Sequence, residues 1–272
     1  MKVPELTIVD GVTIPQVGLG LWQNTDPAEF AGAFSAALAA GYRHFDTAQI
    51  YHNEQLLGDA WRASGVAREQ FFLTTKIHIG SFGTRKTPKS FTGSLEKLQT
   101  EYVDLLLLHF PVPIARKAAW LQLEKIKAAG GARSIGVSNF TIRHLKEMES
   151  YASELPSVNQ VELHVFLQQP ELVDYCRERN IIIEAYSPLA HGKGMGDPIL
   201  NEIAKKYDKS PAQIMLRWCV QNGFVVIPKS VTAERISANI NIFDFTLDKD
   251  DLAKIKGINR NLRTCWDPTY VP

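Results

Sequence analysis

Short apolar runs alternate along the chain with longer segments of helical spacing, and the runs recur about once per βα unit, roughly thirty residues. Eight can be counted: Val17–Gly20, Arg43–Asp46, Phe71–Lys76, Val103–His109, Ser134–Asn139, Val158–Gln160, Ile181–Tyr186 and Phe224–Lys229. Most read as buried parallel strands. Between them the spacing predicts helices over Pro27–Ala40, Glu54–Ala63, Pro88–Thr100, Ala115–Ala129, Ile142–Ser153, Pro170–Arg179 and Pro211–Asn222. Asp26-Pro27, Thr87-Pro88 and Ser210-Pro211 each put a capping oxygen before a proline of a first turn, and Gly41 and Gly130 fall where C-terminal caps belong.

Strands and helices in this rhythm predict an α/β protein with a parallel sheet, and eight units favour closure into a (β/α)8 TIM barrel. Leu6–Ile14 alternates apolar and polar residues around Asp10-Gly11, the signal of a two-residue hairpin ahead of the barrel. Two extra helices are expected, Ile199–Tyr207 and Leu247–Ile258. No Pro/Gly/Ser-rich linker divides the chain, so residues 1–272 are expected to be one domain. The tail Asn261–Tyr270 is short and aromatic, and within reach of a barrel mouth.

Composition narrows the function classes. With 272 residues, 45% of them hydrophobic and 22% charged, a large core is expected and disorder is not. A formal net charge of +1 gives no electrostatic pull towards nucleic acid or anionic membrane. The densest basic run, Arg85–Lys89, is read as a solvated loop. Cys176, Cys219 and Cys265 are an odd number without metal-site spacing, so neither a disulfide framework nor a metal site is expected, and a reducing cytoplasm is the default. No leader-like start or membrane-long apolar stretch is evident, and a soluble monomer is expected.

In such a barrel the chemistry gathers at the C-terminal strand ends. Those ends read Trp22, Asp46, Lys76, His109, Asn139, Gln160, Tyr186 with Ser187, and Lys229 with Ser230, with Tyr51 in the loop after Asp46. Singly, each has an ordinary role: a capping carboxylate, a snorkelling lysine, a satisfied core histidine. Together they place an acid, an amine, an imidazole and a phenol on one face. A lysine ammonium beside Tyr51 would lower the phenol from its usual value near 10, Asp46 would balance that ammonium, and a neutral His109 would donate to a carbonyl oxygen. A carbonyl held between Tyr51 and His109 would be ready for reduction.

These residues resemble the aldo-keto reductase superfamily from the Asp10-Gly11 hairpin to about Leu247. The matching stretches are Gly18–Gly20, Gly41–Ala48 with Asn53-Glu54, Thr74–Lys76, Asp104–His109, Ile135–Phe140, Asn159–Glu162, Ala185–Leu189 and Ile227–Ser230. The wording Asp46-Thr-Ala-Gln-Ile-Tyr51 and the short tail are most similar to the bacterial 2,5-diketo-D-gluconate and methylglyoxal reductases. The resemblance implies Tyr51 as general acid, Asp46 and Lys76 as its tuning pair, and His109 as the substrate-orienting group. It also implies NADPH as cofactor, with Ser138, Asn139 and Gln160 at the carboxamide, Tyr186 stacked on the nicotinamide, and Lys229, Ser230 and Arg235 around the 2'-phosphate. Ser187, Leu189, Val231 and Asn239 carry over as further cofactor contacts. Gly18-Leu-Gly20 is not a dinucleotide fingerprint and reads as the first strand.

Several positions depart from the family pattern. Ala238 replaces a glutamate that often touches the adenine, and Gln23 a lysine near the pyrophosphate, which implies looser hold on the cofactor. In the substrate wall Trp22 keeps its expected place, but His78 and Phe110 stand where relatives usually have tryptophan. A smaller, more polar wall suits hydroxylated or carboxylated carbonyl compounds. Two other readings compete: a cofactor-binding regulatory homologue with little turnover, against which the intact four-residue set speaks, and a phosphosugar barrel enzyme using Lys229 and Ser230 without nicotinamide.

Overall fold

The computed structural model describes residues 3–8 and 11–272. Strands β1 (Glu5–Thr7) and β2 (Thr13–Pro15) pair antiparallel with Leu6 opposite Ile14, giving the expected hairpin. Gly11 in its turn has φ +72°, while Asp10 lies outside the described residues. Eight parallel strands follow: β3 (Gly18–Gly20), β4 (His44–Asp46), β5 (Phe72–Ile77), β6 (Val103–Leu108), β7 (Ala132–Ser138), β8 (Val158–Glu162), β9 (Ile182–Tyr186) and β10 (Val225–Val226). They lie side by side in chain order, and parallel bridges Val17–Val226 and Gly20–Lys229 close the ring. This is a (β/α)8 barrel. The last strand is short because Pro228 has no N–H to give, although its carbonyl still accepts from the Gly20 N–H at 3.2 Å.

A period of two along each strand puts every second side chain inside the barrel. At the N-terminal end the interior is apolar: Ile8, Val12 and Ile14 of the hairpin segment pack with Phe72, Leu105, Leu107, Val158 and Val225 and plug the bottom. Further up the same files turn polar: His44 and Asp46 on β4, Thr74 and Lys76 on β5, Gln160 and Glu162 on β8, Glu184 on β9, all buried. The larger core lies outside the strands, under the ring of helices.

Those helices are α1 (Pro27–Ala40), α2 (Glu54–Ala63), α3 (Lys86–Leu98), α4 (Arg116–Ala128), α5 (Ile142–Met148), α6 (Pro170–Glu178), α7 (Pro198–Tyr207), α8 (Pro211–Gln221), α9 (Ala233–Ile240) and α10 (Lys249–Gly257). Asp26 and Ser210 cap α1 and α8 as expected, and Gly41 ends α1 at φ +99°. Three expectations need correcting. Helix α3 starts before Pro88, and Thr87 is no cap: its hydroxyl donates to Ser81 O and accepts from Gly83 N, serving the preceding loop. Helix α5 ends at Met148, short of the expected Ser153: the chain tightens into the turn bonds Ser150 N–Glu147 O and Tyr151 N–Met148 O, and beyond them the Glu124 carboxylate, from α4, takes the N–H groups of Ser153 and Glu154. Helix α9 was not foreseen at all; it packs against α1 and closes the outer ring. No helix among the described residues is long and apolar enough to cross a membrane.

The seam between β3 and β10 leaves no room for a side chain at Gly20, where a Cβ would lie 2.7 Å from the Ile227 carbonyl oxygen. Gly20→Ala is expected to cost about 2 kcal/mol through overpacking, read as a lowered midpoint in denaturant unfolding. An unchanged midpoint would mean that the seam yields freely.

Candidate active site

Lys76 reaches the top of the barrel from β5 without exposure to solvent. Its ammonium donates to Asp46 Oδ1 at 2.6 Å, to the Thr47 carbonyl at 2.9 Å and to the Tyr51 hydroxyl at 3.4 Å. An ammonium buried this completely must be paired, and three oxygens complete its donor set. Asp46 and Tyr51 together raise the Lys76 pKa in spite of burial, which alone would lower it.

Tyr51 sits on a single helical turn, Gln49–Tyr51, that the neighbouring residues hold in place. Asn53 donates to the Leu21 and Asn24 carbonyls at 2.7 and 2.9 Å and accepts from the Thr47 hydroxyl at 2.6 Å. Gln49 donates to Ser90 O and Ser94 Oγ and accepts from His78 N, so the turn is tied to the loop after β5. One expectation about Tyr51 is not met. Burial pushes the phenol above its usual value, and although Lys76 pulls it down, the net direction is up.

The Tyr51 and His109 rings meet edge to face with centroids 5.6 Å apart. Burial, then the Lys76 charge, holds His109 well below the ordinary histidine value, so it is neutral at physiological pH. Trp22, 44% exposed, and His78 stand at the rim. His78 Nδ1 accepts from Gly80 N at 3.2 Å, which leaves Nε2–H as the ring's donor. Phe110 meets Trp266 of the tail at 6.3 Å, so the tail does reach the mouth.

The residues expected to hold a cofactor fall in two groups. Tyr186 donates to Asn139 Oδ1 at 2.7 Å, Asn139 Nδ2 donates to Ser138 Oγ at 3.0 Å, and Ser138 Oγ donates to the Gln160 carbonyl at 3.0 Å. These four therefore form one polar shelf beside Tyr51, with Ser187 and Leu189 half-buried just beyond it. About the N-terminus of α9 stand Lys229, Ser230, Val231 and Arg235, and Asn239 is buried further along the helix. Lys229 and Arg235 are exposed and make no ion pair among the described residues, which fits a phosphate-binding corner.

Some contributors were not singled out in the sequence. Glu162, fully buried at the end of β8, accepts from Thr264 N at 2.7 Å, Thr264 Oγ1 at 2.5 Å and Cys265 N at 3.1 Å, and so fastens the tail. Burial would raise its pKa, but hydrogen bonds from His164, the Thr264 hydroxyl and the two backbone N–H groups outweigh that and hold it at about 2. Farther on, His144 Nε2 donates to the Val271 carbonyl at 3.0 Å and Arg116 to the Pro272 carbonyl. Glu184 lies inside the barrel beneath Asp46. A charged residue inside the apolar run Ile181-Ile-Ile-Glu-Ala185 was the available signal for it.

A (β/α)8 barrel thus carries at its mouth a buried lysine–aspartate pair next to a tyrosine and a neutral histidine, groups able to donate hydrogen bonds and a proton to a bound molecule. The Aldo/keto reductase family model matches residues 16–260, and the chain belongs to that family. It is 44% identical over 266 residues to the 9,11-endoperoxide prostaglandin H2 reductase of Trypanosoma cruzi, covering 97% of this chain and 94% of the relative. It is also 44% identical over 259 residues to the glyoxal reductase of Bacillus subtilis, covering 95% and 94%. Among solved structures, the Bombyx mori aldo-keto reductase in complex with NADP superposes with TM-score 0.93 at 34% identity, covering 100% of each chain.

The Glu162 anchor predicts an acid-sensitive tail. Because its pKa is depressed in the fold, its stabilisation is complete above the ordinary carboxyl value of 4.5 and is lost as pH falls towards about 2. Glu162→Ala is expected to speed amide exchange at Thr264 and Cys265 about tenfold or more at neutral pH, as a charge-assisted bond lost at each would. Exchange unchanged from the wild type would remove Glu162 as the anchor.

Proposed function

We propose that this protein uses NADPH to reduce small aldehydes and ketones, dicarbonyls or keto-sugar acids among them, with Tyr51 as the proton donor. The observation that carries the reading is the Tyr51 hydroxyl set 3.4 Å from the Lys76 ammonium, with neutral His109 beside it. A substrate carbonyl oxygen in that corner accepts hydrogen bonds from the Tyr51 O–H and a His109 ring N–H, which fixes its orientation and polarises it. NADPH, held by the shelf of Ser138, Asn139, Gln160 and Tyr186, would supply the hydride that the carbonyl carbon takes up. As negative charge grows on the oxygen, Tyr51 gives it the hydroxyl proton, and the product is the alcohol.

Lys76 and Asp46 act through Tyr51. The phenol's raised pKa does not prevent donation, because an alkoxide is a far stronger base than a phenolate. Lys76 stabilises the negative charge left on Tyr51, and Asp46 keeps Lys76 charged and still. Ser138, Asn139, Gln160 and Tyr186 are suited to the nicotinamide end of the cofactor; Ser187, Leu189 and Asn239 to its length. Lys229, Ser230 and Arg235 suit the 2'-phosphate, with Val231 a further cofactor contact, and two cations there without an ion pair among the described residues support NADPH over NADH. The glyoxal reductase relative supports small dicarbonyls, and the His78 donor and Phe110 in place of larger indoles support polar substrates.

Tyr51→Phe is expected to lower kcat for methylglyoxal by about a hundredfold to ten-thousandfold while NADPH affinity stays within about twofold. Substantial surviving turnover, followed by absorbance of the reduced cofactor, would remove the proton-donor role. His78→Trp is expected to reduce kcat/KM for keto-sugar acids about tenfold and to favour aromatic aldehydes. Improved turnover of the keto-sugar acids with aromatic aldehydes unchanged would refute the polar-wall reading.

A further inference from the structure

Glu184 is wholly buried inside the barrel. Its Oε2 accepts from Gln160 Nε2 at 2.7 Å, and the same nitrogen donates to Asp46 Oδ2 at 2.8 Å. Two carboxyl groups thus flank one amide nitrogen. The charged or titratable groups around Glu184 are His44 and Asp46 on β4, Lys76 on β5 and the Tyr51 phenol; Gln160 on β8 and Val225 on β10 bring no charge. Lys76 is committed to Asp46 at 2.6 Å. One ammonium therefore faces two carboxyl groups where water cannot help.

The second oxygen of Glu184, Oε1, has no hydrogen-bond partner and lies 3.4 Å from His44 Nε2. The state of that nitrogen follows from the far side of the ring. His44 Nδ1 faces the Pro15 carbonyl at 3.4 Å, and a carbonyl only accepts, so Nδ1 carries the hydrogen. Nε2 is then a lone pair, which Thr74 Oγ1 also approaches, at 3.1 Å. The ring is held where it is: a Cβ at Gly18 would lie 2.6 Å from Nδ1, and only a glycine leaves that seat open. A bare ring nitrogen and an ionised carboxylate oxygen repel each other in a dry interior. The Thr74 hydroxyl can donate to Nε2 but brings nothing to Oε1, and a proton between Nε2 and Oε1 removes the repulsion.

Two states supply it, an imidazolium beside a carboxylate or a neutral imidazole beside a neutral acid. The ion pair would leave two more charges desolvated at a poor distance, a cost that the attraction does not repay. Burial and the Lys76 charge also take His44 down to about 3, and burial and the Asp46 charge take Glu184 up to about 8.

We propose that Glu184 works as a neutral carboxylic acid, a positioning residue that donates to His44 Nε2 while its other oxygen, with Asp46, holds the Gln160 amide nitrogen. Both acceptors of that nitrogen lie inside the barrel, so Gln160 Oε1 is left free for the carboxamide of the nicotinamide. Asp46 meanwhile remains the one carboxylate paired with Lys76. Ionisation of Glu184 would add a second negative charge beneath Tyr51 and raise its pKa further, making it a weaker acid. The cofactor half of this proposal rests on the reductase reading above.

Glu184→Gln copies the neutral acid: its carbonyl accepts from Gln160 and its NH2 donates to His44. Infrared difference spectra of the purified apoprotein are expected to show a carboxylic-acid carbonyl band at neutral pH that Glu184→Gln lacks and that fades in the wild type as pH passes about 8. Identical spectra for the two proteins would overturn the proposal. For carbonyl reduction, the ratio of Glu184→Gln to wild-type turnover is expected to rise about threefold or more between about pH 6.5 and about pH 9.5, as one added buried charge beneath Tyr51 would require; a flat ratio overturns the link to Tyr51. Glu184→Leu, which strands a Gln160 donor, is expected to weaken NADPH binding about tenfold by cofactor fluorescence, and unchanged binding overturns the positioning of Gln160. The infrared band with no NADPH consumption by either protein would support the neutral acid and remove the reductase reading instead.

Discussion

The contact on which the rest of the site depends is the ion pair of Lys76 and Asp46, 2.6 Å long and closed off from solvent. Stripping water from two charges costs several kcal/mol each, and their attraction offsets that only when every remaining donor and lone pair is met. Here the Thr47 carbonyl, the Tyr51 hydroxyl and the Gln160 amide complete the set. The partners come from β4, β5, β8 and the loop after β4, so the register of three strands is written into one ion pair. A slip of one residue would turn Lys76 outwards and leave Asp46 unpaired.

The interior is graded along its axis. At the bottom the hairpin segment packs Ile8, Val12 and Ile14 into an apolar plug; above it come one imidazole and one carboxyl group; at the top come the charges. This order excludes water from below and keeps the local dielectric low around Lys76, Tyr51 and His109. The same low dielectric pushes the phenol of Tyr51 up and the imidazole of His109 down. Both effects preserve the neutral, hydrogen-donating forms of the two groups, the forms that the proposed carbonyl reduction requires.

Much of this was legible in the sequence because it rests on local rules. Apolar runs bounded by glycine, proline and capping residues set the eight strands, and the polar residue closing each run pointed to the mouth. Asp46, Lys76, Tyr51 and His109 were found that way and do converge. What stayed hidden depends on distant partners. Helix α9 is short, half exposed and without a side-chain cap at Thr232, so its spacing stands out poorly. The path of the chain after α5 is held by a carboxylate of α4, and the role of Thr87 is set by a loop six residues back. The expected downward pull on Tyr51 weighed the lysine but not the depth of burial. Glu184 and Glu162 acquire meaning only when His44 and Thr264 are brought to them.

The tail anchor separates two parts of the molecule that could have been coupled. Glu162 holds Thr264 and Cys265 largely by backbone N–H groups, which every residue but proline possesses. Two of the three bonds thus do not depend on side-chain identity, the Thr264 hydroxyl supplying the third, and Trp266 beyond them takes no part in the grip. Such a chain can revise the aromatic residue that meets Phe110 at the mouth while the Lys76–Asp46 pair underneath is left alone.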